Sequence, residues 1–263
     1  MGHVLLGTLP QTRAWKEVVR LLVAHSDADA VAAAAQKAAD TAFAVMDKDP
    51  GFQDVVELLS QLGAATESPD PSKHLASYGI QLPPNPSILA VSLAIKRALD
   101  AASARRAHLS DLASIGGRSL IAAVTHHLNN VLGTLVPPTG HEVQAALGNL
   151  GRETQFGKLA RTFFYHVAKD CQRHFLSKVL GAHVGEGRAF ATTAQLSTFE
   201  GALDQHANEA SYIVEVFAKE WFSKRMYEDD NTISKKRSSA FGWKAMTKIR
   251  AEMKNRATDD AAQ

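Results

Sequence analysis

A single cysteine among 263 residues, Cys171, leaves nothing inside the chain to pair with. That excludes an internal disulfide and any cysteine-rich zinc module, and it suits a reducing, cytoplasmic setting. Long apolar runs are missing too: no stretch approaches the roughly eighteen uninterrupted apolar residues of a membrane span. The opening "MGHVLLGTLPQTR" lacks a basic n-region, and Gly7 and Pro10 break its short apolar run, so a secretory signal is not expected. Alternating strands, hairpin dipeptides and a repeat of fixed period are absent, which argues against a β-rich or solenoid fold. Also absent are GxGxxG, GxxxxGK[ST] and GxSxG, the signatures of dinucleotide sites, phosphate-binding loops and serine hydrolases. No cofactor and no metal is therefore expected. Charge of one sign is scarce: 29 basic against 27 acidic residues leave +2 overall, too little to dictate a nucleic-acid or membrane partner.

What is present is apolar residues, 45% of the chain and enough for a sizeable core, arranged with a helical period. "TRAWKEVVRLLVAH" puts Trp15, Val18, Val19 and Leu22 on one face. Ser26 is placed to cap an alanine-rich helix running to about Met46, where "DPG" breaks it. "FQDVVELLSQLG" is a short amphipathic helix ending at Gly63. Residues 64–86 hold five of the nine prolines and read as an exposed connection with one turn of helix inside it. Ser87 opens the next helix, and others follow over about 111–133, to Leu150, 154–180, 198–228 and 234–256. Thr198 is the expected N-cap of the 198–228 helix, and Gly181 the expected C′ residue of the one before it. The pattern predicts an all-α, irregular bundle of about nine helices with no substantial sheet. Its organisation reads as an N-terminal helical region (1–63), a Pro-rich connection (64–86), a main bundle (87–256) and a frayed tail (257–263).

"RTFFYHVAKDCQRH" gathers two histidines, a cysteine and two arginines in Arg161–His174. At about 100° per residue from Phe164, residues Val167, Ala168, Cys171, Phe175 and Val179 fall within about 60° of one direction, so Cys171 is buried and inert. His166 points about 200° away, toward solvent, and His174 lies on the flank. The spread does not converge on a metal. The same stretch holds R-x4-H, from Arg161 to His166, which resembles the motif of HEPN ribonucleases, a helical family. The resemblance implies a metal-independent ribonuclease in which His166 moves the 2′-hydroxyl proton and Arg161 stabilises a charged phosphorane.

"LASIGGRSLIAAVTHHLNNVLGTL" carries His126, Asn129, Asn130 and Leu132 in H-x-x-N-N-x-L spacing. It is similar to the phosphoacceptor helix of sensor histidine kinases, and the resemblance implies a histidine phosphotransfer protein with His126 as acceptor. Leu120, Val124, Leu128, Val131 and Leu135 form an apolar stripe, and His126 points away from it. His127 stands where that family carries an acidic residue, and no ATP-binding motif follows.

Charge is concentrated at the other end. From Lys219 to Arg256 there are eleven basic and five acidic residues, whereas the first 218 residues are slightly acidic. Phe241, Ala245, Ile249 and Met253 form an apolar edge, while Arg237, Lys244 and Lys248 form a second row, and Trp243 shares a direction with Arg250. Tyr212, Phe217, Trp221, Phe222 and Tyr227 add the most aromatic stretch of the chain. The favoured expectation is a non-enzymatic helical adaptor, a subunit of a larger assembly. It would bind a protein partner, with nucleic acid as a second class, through Lys235, Lys236, Arg237, Trp243, Lys244, Lys248, Arg250 and Trp221. Membrane insertion is not expected, and a homo-oligomer is left open. The ribonuclease and the phosphotransfer protein stand second and third.

Overall fold

The computed structural model describes residues 2–4, 13–24, 28–44, 46–106, 108–133, 136–177, 180–228 and 232–260. Helix starts follow local chemistry. Asp49 accepts a hydrogen bond from Phe52 N at 2.7 Å with Pro50 at the first helical position, so "DPG" opens α3 (Pro50–Ala64) rather than only ending what precedes it. Asp70 and Pro71 repeat the device for α4 (Pro71–Ser77). Ser87 caps α5 (Ile88–Ala104) and Ser110 caps α6 (Asp111–Leu132). Thr139 and Glu142 close a reciprocal capping box on α7 (Gly140–Gly148). Before these lie α1 (Arg13–Val23) and α2 (Ala28–Phe43). After them come α8 (Glu153–Leu176), α9 (Thr193–Ala210), α10 (Tyr212–Glu228) and α11 (Lys235–Asp260).

The protein is all-α, as the period predicts, with eleven α-helices among the described residues in place of about nine. One of the two additional helices is α4, inside the Pro-rich connection. The other arises because the expected 198–228 helix is two. Buried Ser211 donates its hydroxyl to the Asn208 carbonyl at 2.6 Å, a local bond that competes with the helical ladder and ends α9. Thr192, not Thr198, caps α9; Thr198 lies inside it and bonds back to the Ala194 carbonyl. Gly181 falls in a 3₁₀ turn, since α8 already ends at Leu176. The Ser26 cap, Val179, Leu135, and the Trp15 and Phe175 side chains lie outside the described residues. Among the described residues, strand pairing consists of β1 (Gly2–Val4) against β2 (His108–Ser110), three residues each, parallel, and an isolated parallel bridge between Val184 and Phe190.

α8 is the axis. Phe156, Leu159, Ala160, Phe163, Phe164, Val167, Ala168 and Cys171 are all fully buried along it, which accounts for the stripe and for Cys171. It packs between α6 and α10, with α9 and α2 against it, while α3 packs on α6 and α11. A smaller apolar cluster joins Val18 and Leu22 of α1 and Val31 of α2 to Leu176, Phe199 and Leu203. In the main apolar cluster α3 packs together with residues of α5 to α11. Among the described residues no helix is long and apolar enough to cross a membrane.

Candidate functional site

α11 is amphipathic in the way its period requires. Phe241, Ala245, Ile249 and Met253 are buried, and Phe241 is stacked on Trp221 with centroids 4.2 Å apart. On the opposite side Lys236, Ala240, Trp243, Lys244, Thr247 and Ala251 are all exposed, and they span only about 100° of helical arc. Trp243 keeps half its surface in solvent, although an indole of that size gains most from being covered. Lys236 and Lys244 make no ion pair with any described residue.

Three other cations expected at this surface, Lys235, Lys248 and Arg250, are engaged within the molecule. Lys235 pairs with Asp54 and, at 3.8 Å, with Glu57, tying the start of α11 to α3. Arg250 grips Asp40 of α2 through two hydrogen bonds, 2.6 and 2.9 Å, so it parts company with Trp243. Lys248 stands over the Phe217 ring at 5.4 Å, half-buried, and Arg237 lines a cleft with His74 and Tyr78. Trp221 is half-buried in the aromatic layer. Of the eight residues grouped from sequence, Lys235, Lys236, Arg237, Trp243 and Lys244 are exposed, and Lys236, Trp243 and Lys244 share one side of the helix.

Arg161 is likewise committed. Its guanidinium lies 3.3 Å from the Tyr212 ring centroid, donates to Asn208 Oδ1 at 3.1 Å and pairs with Glu215 at 3.3 Å. To meet a phosphate it would forfeit a cation–π contact and two charge-assisted bonds. His166 is half-buried rather than solvated. Its pKa is lowered first by burial, then by Lys169, with His126 adding to this and Asp170 and Asp204 opposing it. His126 is exposed, as its direction predicted. However, Asn130 Nδ2 donates to its Nε2 at 2.8 Å, occupying a lone pair that a phosphoryl group could take. Val131, expected in the buried stripe, is half exposed near the end of α6. Among the described residues no three His, Cys, Asp or Glu side chains gather where a metal ion could be held.

Burial lowers the pKa of three imidazoles, His74, His127 and His166. His127 is the extreme case, with its Nε2 sealed and unpartnered and with Lys158 and His126 adding repulsion. The unfolded chain protonates histidine near pH 6.5, about where an unperturbed imidazole titrates, and the folded chain resists. Stability from these groups is thus fully present above about pH 6.5 and is lost as pH falls toward the lowered folded values. The melting temperature is expected to drop on acidification through that window, and His127→Leu to flatten the drop. Identical pH profiles for the two proteins would contradict the assignment.

Comparison with protein families, with curated proteins and with solved structures finds no match for this chain.

Proposed function

We propose that the chain is a non-enzymatic helical adaptor that holds an acidic protein partner, as one subunit of a larger cytoplasmic assembly, against the outer face of α11. The observation that carries this reading is an exposed face of α11 on which Trp243 is flanked by Lys236 and Lys244, while Lys235, Lys248 and Arg250 are matched to carboxylates or a ring of the same molecule. Uncompensated cations steer an acidic surface into encounter, and a half-open indole supplies the anchor that most of the binding energy needs. The runner-up catalytic pair has less support, since the Arg161 guanidinium is engaged on three sides.

The test is capture of partners from native extract by the full chain, with and without nuclease. Trp243→Ala is expected to cost about 2 kcal/mol or more, roughly thirtyfold in affinity. Lys236→Glu with Lys244→Glu should abolish capture and its salt sensitivity. Capture that survives all three changes rejects the face. Capture lost on nuclease treatment would mean that nucleic acid, not protein, is the partner.

A further inference from the structure

α5 and α6 lie side by side, tied by a hydrogen bond of 3.0 Å between the Ser92 and Thr125 hydroxyls. Farther along the pair, a groove of about 260 Å³ is lined by residues of α3, α5 and α6. Gly51 and Gly117 enter its lining without a side chain, and the walls are close there: a Cβ on Gly117 would stand 3.3 Å from Leu99 Cδ1. Val55, Leu99 and Ile121 add apolar lining. Small-molecule sites usually offer roughly 300–1,000 Å³, so this one suits a compact body and not a nucleotide.

The charged lining is mostly cationic: Lys96, Arg106 and Arg118 against Asp100 alone. Arg106 is committed, since its Nη2 pairs with Asp54 and Asp49 attracts it further. Lys96 holds Asp100 at 2.5 Å, one helical turn away on α5. Arg118 differs. It is exposed and makes no hydrogen bond or ion pair with any described residue, so its guanidinium is free to swing to the groove it lines. Ser103 on α5 and Ser114 on α6 also line the groove, and neither side chain makes a hydrogen bond to a described residue. With the matched pairs set aside, one positive charge and two hydroxyl donors remain beside an apolar floor. A carboxylate fits that set: it brings one negative charge, and its two oxygens accept from a guanidinium fork and from hydroxyls. A phosphate monoester carries nearer two charges, and the second would stand unmatched beside Asp100. We infer that the groove binds a small organic carboxylate with a compact apolar body, its charge on Arg118, Ser103 and Ser114 and its body on Val55, Leu99 and Ile121. No residue of the groove belongs to the α11 face, so the two sites are tested separately.

Benzoate, hexanoate, acetate, benzamide and inorganic phosphate are the probes, titrated into the full chain while the Arg118 guanidinium and the Ser103 and Ser114 amides are followed by NMR. At least one of benzoate and hexanoate should give saturable shifts at millimolar concentration. Acetate lacks the apolar body and benzamide lacks the charge, and each should bind more weakly by about tenfold or more. Arg118→Gln should weaken the better carboxylate by about tenfold or more. Ser114→Asp places a like charge in the groove and should abolish the shifts. Both positions are exposed, so neither change threatens the fold. No saturable shift from benzoate or hexanoate, benzamide or phosphate binding as tightly as the better carboxylate, or unchanged affinity in Arg118→Gln would each overturn the proposal.

Discussion

Phe156→Ala is expected to lose about 3–5 kcal/mol of folding stability, a large part of the roughly 5–15 kcal/mol a domain possesses. The ring is fully buried on α8 at the centre of the aromatic layer. It stacks on Phe222 at 4.2 Å, with Phe241 and Trp221 at 6.0 and 6.2 Å. Across the layer it meets α3 so closely that a Cβ on Gly63 would come within 2.8 Å of it. Truncation removes the transfer energy of the ring and opens a cavity that four helices, α3, α8, α10 and α11, cannot close together, because each is held by its own partners. Urea denaturation should show a lower midpoint with an unchanged slope, and Phe156→Leu should cost much less. An unchanged midpoint in Phe156→Ala would mean that the layer is not the core.

Gly157→Val should be the second most damaging change, for the opposite reason. A Cβ at position 157 would lie 2.8 Å from the Glu215 carbonyl oxygen and 3.4 Å from Lys219 Cβ on α10. A rotating side chain could yield, but a backbone carbonyl within a helix cannot, so the two helices must separate. Overpacking of this kind costs about 1–3 kcal/mol and more when backbone must move. The same separation would loosen the Arg161–Glu215 pair one turn along. Alanine gives the sharper comparison. Glycine to alanine inside an exposed helix normally gains about 0.5–1 kcal/mol. Gly201 is exposed in α9, with open space where an added methyl would stand. It should show that gain on replacement by alanine, whereas Gly157→Ala should lose stability. A gain at both positions would refute the close approach of α8 and α10.

Local signals were legible where a residue acts on its own chain neighbours. Ser87 as a cap, the α6 span after Ser110 and the buried face of α8 all depend on side chains within four residues of each other. The break at Ser211 was not legible, because its hydroxyl turns inward to Asn208 in a site that packing has already dried. The candidate surface behaved similarly. Its charge and its helical edge could be read, but which cations remain outward could not, since Asp40 lies 210 residues from Arg250 and Asp54 lies 181 from Lys235. The buried amide of Gln61, bonded to the Ile233 carbonyl and to His74, joins residues that no sequence motif links.

Alone, the order of residues settles that this chain coils into helices, where most of them begin, and which face of each is apolar. These outcomes are local, since a turn of helix spans under four residues and a cap reaches three. Only the assembled bundle decides that Arg161 and Arg250 are occupied and that Trp243 stays exposed beside Lys236 and Lys244. Those depend on which helices meet, and hydrophobic burial, being non-directional, brings them together without regard to distance along the chain.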